Sequence, residues 1–350
     1  MQKIKAIVGT EILPEFLDRI KQYYDITFLP WLGTDKLPTE DEIIRHCKGY
    51  EVVVVYTDRI TERCIKALSQ AGLKFLGCGR ATPNNIDWKA AKEYGIPIIH
   101  TPGRNAHAVA EYTVGMLLAL CKRIAFTYNA LQDGRFLAEA KDIYDIPKKD
   151  DVIWRFAEKE NPRSSFPWSI DVFGRTVGIV GLGAIGQNVA KICRGMGMQV
   201  LAYDPYQRDE AFAESEATKI SDVFDMLPQC DFICVNLAPS PETYGLIDKK
   251  WFGAMRNDAY FINTSRASVV KQKDLIDALT HKVIAFAALD VMWEEPAPEN
   301  HPLLHMDNVL ITPHMAGISA DVKKWASFML ADELLRYAEK KENIRIWKRT

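Results

Sequence analysis

The sequence predicts an α/β chain built as two doubly wound parallel sheets. Three observations predict it. Short apolar runs alternate with helical patterns along most of the chain, as strand–helix–strand units of a parallel sheet require. The run 51–56 (EVVVVY) is β-branched almost throughout, which suits a strand buried on both faces. The stretch 176–204 reads strand, glycine-rich turn, helix, strand, acid. At 350 residues the chain is long enough for two domains with sizeable cores.

In the first hundred residues, strands are expected at Ile4–Val8, 26–29, 51–56, 74–78 and 97–100. Helices are expected at 14–24, 39–47, 61–71 and 87–94, with Thr39 placed to cap the second. The turn Thr101-Pro102-Gly103-Arg104-Asn105 ends this alternation. A long helix, 106–123, follows; it is apolar over most of its surface, so it is buried more than one face deep, between domains or between subunits. The stretch 134–168 is rich in charge, Pro and aromatics and has no steady period. It reads as an irregular segment, either functional or merely covering the surface. Alternation then resumes. Beyond 176–204, strands are expected at 231–237, 259–263, 285–291 and 308–312, and helices at 221–227, 249–255 and 273–279. One long amphipathic helix, 319–341, closes the chain. Boundaries fall near Arg104 and Gly317. Residues 1–104 with 317–350 then form one domain and 105–316 the other, the last helix returning to the first.

Composition narrows the partners. With 48% hydrophobic and 26% charged residues and a net charge of −2, nothing points to a nucleic-acid or anionic-membrane surface. No apolar run reaches the length of a membrane span, and the N-terminus lacks the pattern of a signal peptide. Seven cysteines, odd in number and without a CxxC pair, read as reduced thiols packed as small hydrophobes in a cytoplasmic protein. Which small molecule or other partner the chain takes has to be read from its motifs.

The 176–204 stretch says what kind. In Gly181-Leu182-Gly183-Ala184-Ile185-Gly186, Gly181 permits a tight turn, Gly183 lets backbone approach a pyrophosphate, and Gly186 lets the helix lie close on the strand. The helix opening at Ala184 and Ile185 offers free N–H groups and a partial positive charge to phosphates. Asp204 ends the second strand, where an acid accepts both ribose hydroxyls and repels a 2′-phosphate. The expected cofactor is therefore NAD, with the nearby Arg208 read as a solvated surface arginine.

Polar side chains at the ends of three later strands supply candidate chemistry: Arg266 after AYFIN, Asp290 ending FAALD with Glu295 in the next turn, and His314 after VLITP. In open α/β sheets ligands bind outside the carboxyl ends of strands. Hydride exchange with an alcohol needs a base for the hydroxyl proton and a cation for a carboxylate or carbonyl. His314 suits the first role and Arg266 the second, since a guanidinium grips a carboxylate bidentately. Glu295 or Asp290 could hold the histidine.

The motifs TPGRNAHAVAEYTVGMLLAL, GRTVGIVGLGAIGQ, PSPETYGLI, FINTSRASVV, ALDVMWEEPAPENHPLL and ITPHMAG occur in that order. Together they resemble the D-isomer-specific 2-hydroxyacid dehydrogenase family, in its phosphoglycerate and sugar-acid dehydrogenase branch. The resemblance implies a flavodoxin-like substrate domain and a Rossmann NAD-binding domain. It implies catalytic Arg266, Glu295 and His314, with Ser265 and Asp290 beside the cofactor and Asp290 at its nicotinamide end. It implies a homodimer through 106–123, and a substrate loop in which Arg80, Ala81 and Thr82 stand where relatives often carry glycines. The same resemblance leaves two other readings: a formate-type dehydrogenase, which carries glutamine where Glu295 stands, and a dinucleotide-sensing co-repressor.

Overall fold

The computed structural model describes residues 2–137 and 162–347. Of the irregular stretch expected at 134–168, residues 138–161 lie outside the described residues. The chain divides into two units, Met1–Ala108 with Gly317–Thr350, and Val109–Ala316.

The first unit is built on a five-stranded parallel sheet. Its strands are β1 (Ile4–Val8), β2 (Tyr24–Phe28), β3 (Val52–Val55), β4 (Phe75–Cys78) and β5 (Ile98–Ile99), in the order β2-β1-β3-β4-β5. All four valines of β3 are fully buried, because helices cover both faces of the sheet. Alternation divides the residues between two cores. Ile7, Val53 and Leu76 face one. Ala6, Val52, Val54 and Phe75 face the other, against Leu330 and Leu334 of the helix Ala320–Ala338. Side chains start these helices: Thr39 and Glu42 form a capping box, and Thr61 and Ser319 accept from the third residue on.

Among its described residues the second unit carries seven strands: β6 (Thr176–Val180), β7 (Gln199–Tyr203), β8 (Thr218–Lys219), β9 (Phe232–Val235), β10 (Tyr260–Asn263), β11 (Phe286–Leu289) and β12 (Val309–Ile311). Their order, β12-β11-β10-β9-β6-β7-β8, reverses direction at β6. All pairings are parallel, so the carboxyl ends of these strands share one edge. A crevice at that edge, where the order reverses, is where such sheets take ligands.

Several element ends differ by a few residues from the sequence pattern, and two of these differences have a visible cause. The first helix stops at Ile20, and Tyr24 opens β2 with its hydroxyl donating to Leu334 O at 2.7 Å. The helix expected at 106–123 ends at Cys121, and a second, Ile124–Gln132, follows. Between them Arg123 takes φ +61°, is buried, and lays its guanidinium 3.6 Å over the Phe286 ring. The apolar period runs on across this break, so the pattern alone does not reveal it. The short helix Asp209–Glu214 and the exposed two-residue β8 were likewise not expected, because neither is long enough to show a period. All seven cysteines are buried and unpaired. Among the described residues no helix is long and apolar enough to cross a membrane.

Candidate active site

The first part of the site is the turn after β6. Gly181 has φ +91°, and a Cβ there would stand 2.9 Å from Asn236 O. A Cβ on Gly186 would stand 2.1 Å from Gly181 O, so the helix Ala184–Gly195 packs on its turn at a distance only glycine allows. Gly183 is the N-cap and supplies no capping side chain, and nothing lies within 4 Å of where its Cβ would be. The N–H groups of Ala184, Ile185 and Gly186 have no acceptor among the described residues, at the positive end of a 12-residue helix. Asp204 follows β7. Its Oδ2 accepts from Leu182 N at 2.8 Å and its Oδ1 from Tyr206 N at 2.9 Å, so the acid is tied to the glycine turn. Arg208 is exposed just ahead of the helix Asp209–Glu214. A helix N-terminus without a capping side chain, backbone cleared of side chains and an adjacent acid fit a dinucleotide's pyrophosphate and ribose.

The second part stands at the ends of β10, β11 and β12. Asn263, buried at the end of β10, accepts on Oδ1 from Ser265 N (3.0 Å) and Ser265 Oγ (2.9 Å), while its Nδ2 donates to Arg266 O (3.0 Å). This Asx turn sets both Ser265 and Arg266. Thr113 Oγ1 donates to Val109 O, so the Thr264 hydroxyl, 2.6 Å from it, donates to Thr113. Asp290 follows β11 and is fully buried. Its Oδ1 accepts from Thr312 Oγ1 (2.6 Å) and Met315 N (2.8 Å), and its Oδ2 from Ala316 N (2.8 Å). That carboxylate thus fastens the turn after β12, in which His314 sits at φ +59°.

His314 Nδ1 is 2.7 Å from Glu295 Oε2, and both side chains are 40% exposed. Glu295 Oε1 accepts from Met292 N at 3.1 Å. Burial pushes the Glu295 carboxyl up, but the His314 and Met292 hydrogen bonds and the charges of His314 and Arg266 outweigh it and hold the carboxyl below the usual range. Since Glu295 stays ionised it only accepts, so Nδ1 of His314 carries a hydrogen and Nε2 is the atom left for chemistry. Arg266, Glu295 and His314 line one cavity of about 790 Å³, together with Tyr244, Lys271 and Trp293.

The fold thus brings Arg266, Glu295 and His314 to one cavity, and Asp290 to the turn that carries His314. Arg80, Ala81 and Thr82 belong to the first unit, in the loop after β4; Arg80 and Ala81 are half-buried and Thr82 is exposed. Asn263 and Thr312 escaped the sequence reading. For Asn263 a signal existed, Asn-x-Ser directly after a strand. Thr312 and the lining residues Tyr244, Lys271 and Trp293 join the site only through tertiary contacts, which no local pattern announces. Among the described residues no cluster of His, Cys, Asp or Glu could hold a metal ion.

Residues 114–316 match the family model described as D-isomer specific 2-hydroxyacid dehydrogenase, NAD binding domain. The chain belongs to that family. This dehydrogenase is 30% identical over 336 residues to a glyoxylate reductase of Korarchaeum cryptofilum, covering 96% of this chain and 93% of the relative. It is also 30% identical over 302 residues to a D-3-phosphoglycerate dehydrogenase of Archaeoglobus fulgidus, covering 86% of this chain but only 52% of that longer protein. Among solved structures, the apo D-lactate dehydrogenase of Escherichia coli superposes with a TM-score of 0.72 at 25% identity, over 99% of this chain and 100% of the other. The protein is an NAD-dependent 2-hydroxyacid dehydrogenase with two parallel α/β sheets.

Proposed function

We propose that this dehydrogenase interconverts a D-2-hydroxy acid and its 2-oxo acid through Arg266, Glu295 and His314. The Gly181–Gly186 turn and the first N–H groups of the following helix would hold the pyrophosphate of NAD, with Asp204 at the ribose and Ser265 and the Asp290-fastened turn at the nicotinamide end. When bound, NAD supplies the hydride acceptor, and its reduced form the donor.

The chain's own residues do the rest. Arg266 grips the substrate carboxylate with two parallel hydrogen bonds. His314, through Nε2, gives a proton to the carbonyl oxygen in reduction and takes it back in oxidation. Glu295 holds the ring through Nδ1 and offsets the charge His314 carries when protonated. The observation that carries this reading is the 2.7 Å His314–Glu295 pair in the cavity that Arg266 also lines. In the first unit, the loop 80–82 is assigned to the substrate, Arg80 adding a cation beside the backbone of Ala81 and Thr82.

A homodimer through 106–123, in a reducing cytoplasm, completes the proposal. The seven buried, unpaired thiols support the compartment. Within 106–123 most apolar residues are buried against the unit's own sheet; Ile124, Tyr128 and Leu131, exposed at helical spacing on the helix that follows, would extend the seam and support it. The experiment is Arg266→Ala. Loss of both charge-assisted bonds should lower kcat/KM about a thousandfold, with NADH binding retained. Undiminished turnover would remove Arg266 from the mechanism.

A further inference from the structure

The first unit carries an arrangement that the proton and hydride chemistry does not use, centred on His100. β4 ends at Cys78 and the loop through Arg80, Ala81 and Thr82 follows. β5, paired with β4, ends just before His100 and Thr101. These two consecutive residues hold two consecutive carbonyls of the loop. His100 Nδ1 lies 2.6 Å from Ala81 O, and Thr101 N donates to Arg80 O at 3.1 Å. A carbonyl oxygen only accepts, so Nδ1 carries the hydrogen. Burial lowers the pKa of the His100 ring against the hydrogen bond to Ala81, which favours the neutral form. With the carbonyls engaged on this side, the amides of Ala81 and Thr82 donate to no acceptor among the described residues. Two unengaged backbone N–H groups beside Arg80 are suited to a carboxylate.

The ring of His100 is itself held. It meets Trp347 edge to face, centroids 5.1 Å apart at 81°. Trp347 N donates to Ile98 O at 2.7 Å and His100 N to Arg345 O at 3.0 Å, while Ile346 bridges Ile99 in antiparallel sense. The tail is fastened from beneath by Glu333, which is fully buried on the last helix. Its carboxylate accepts from Asn343 Nδ2 and Arg345 Nη1, both at 2.8 Å, and from the N–H groups of Ile344 and Arg345, both at 3.2 Å.

We propose that His100 is a positioning residue for the reaction: its Nδ1–H holds the Ala81 carbonyl, and so presents the 81–82 amides to the carboxylate of the 2-oxo acid. The tail at Trp347 sets the ring for that task. The proposal rests on the reading above that the loop 80–82 meets substrate.

His100→Phe keeps a ring against Trp347 and removes the donor. His100→Asn returns a donor, Nδ2, to the place of Nδ1. Expected for His100→Phe is a KM for the 2-oxo acid raised about tenfold, as for loss of one partly buried hydrogen bond. Its kcat should stay within about twofold and its NADH dissociation constant unchanged, because a loop contact with substrate is made in ground and transition state alike. His100→Asn should restore KM to within about threefold, and Trp347→Ala, which keeps the donor but frees the ring, should raise KM about threefold. Ala81→Asp, which sets a carboxylate in the loop itself, should raise KM at least tenfold by like-charge repulsion. A normal KM in His100→Phe beside a raised KM in Ala81→Asp overturns the role of His100 and leaves the loop reading standing. Normal KM in both overturns the loop reading and this proposal with it. Loss of kcat or of NADH binding in His100→Phe, without rescue by Asn, shows a merely structural residue and also overturns it.

Discussion

Replacing Glu295 by glutamine isolates the charge behind His314. The variant keeps the side chain's size and, with its one oxygen turned to Nδ1, the hydrogen bond to His314; its NH2 then faces Met292 N, and one negative charge 2.7 Å from Nδ1 is removed. Charge centres about 4 Å apart, at an effective dielectric constant of about 40, attract by about 2 kcal/mol. Both side chains are 40% exposed, so solvent and salt reduce this to about 1–1.5 kcal/mol. That is close to one factor of ten. Reduction of a 2-oxo acid draws on the protonated ring, and the carboxylate favours that charged form. Glu295→Gln should therefore lower kcat/KM for reduction about tenfold and move the alkaline decline of the rate to lower pH by about one unit. The wild-type carboxyl is held below the ordinary range, so its contribution is complete above that range and disappears only as pH falls through the lowered value. An acid limb due to Glu295 must then lie below about pH 4.3. Initial rates of NADH oxidation across pH, for wild type and variant, measure both effects. An unmoved alkaline limb with undiminished kcat/KM would refute the role given to Glu295.

Three other substitutions probe the supports. Asp290→Asn points an NH2 group at one of the three donors that Asp290 now accepts, which should cost about 2–3 kcal/mol and lower the Tm by about 5–10 °C in a thermal melt. An unchanged Tm would show that the turn carrying His314 does not depend on that carboxylate. Gly186→Ala sets a Cβ 2.1 Å from Gly181 O, so the turn must shift and the Tm should fall along with NADH affinity. Gly183→Ala adds a methyl where nothing lies within 4 Å; it should melt like wild type yet bind NADH at least tenfold more weakly in a fluorescence titration. Normal NADH binding in Gly183→Ala would place the pyrophosphate elsewhere.

Much of this was readable from residue order. Strand–turn–helix–strand–acid places Gly181, Gly183, Gly186 and Asp204 by local geometry alone, because each glycine answers a constraint set within a few residues. Arg266, Asp290 and His314 each follow an apolar run, and a parallel sheet brings such positions to one edge. What the pattern does not carry is which atoms meet. Asp290 and Glu295 were open alternatives for holding the histidine. The fold separates them, turning Asp290 under the 312–316 turn and Glu295 onto the ring. The helix break at Arg123 depends on Phe286 and Tyr260, more than 130 residues away, and so has no local trace. His100 reads locally as the end of a strand; its tie to Ala81 and to Trp347 exists only once β4, β5 and the tail are side by side.

The central claim is that His314 moves the proton for an NAD-linked 2-oxo acid reduction. The direct measurement is NADH oxidation by wild type and His314→Asn across a panel of 2-oxo acids of differing length and charge, with NADH binding measured in parallel. Wild type should turn over at least one of them. His314→Asn should bind NADH equally well and react about 10²–10⁴-fold more slowly, the usual contribution of a positioned acid–base group. Wild type that binds NADH yet reduces no 2-oxo acid, or a variant that keeps the full rate, would contradict the claim.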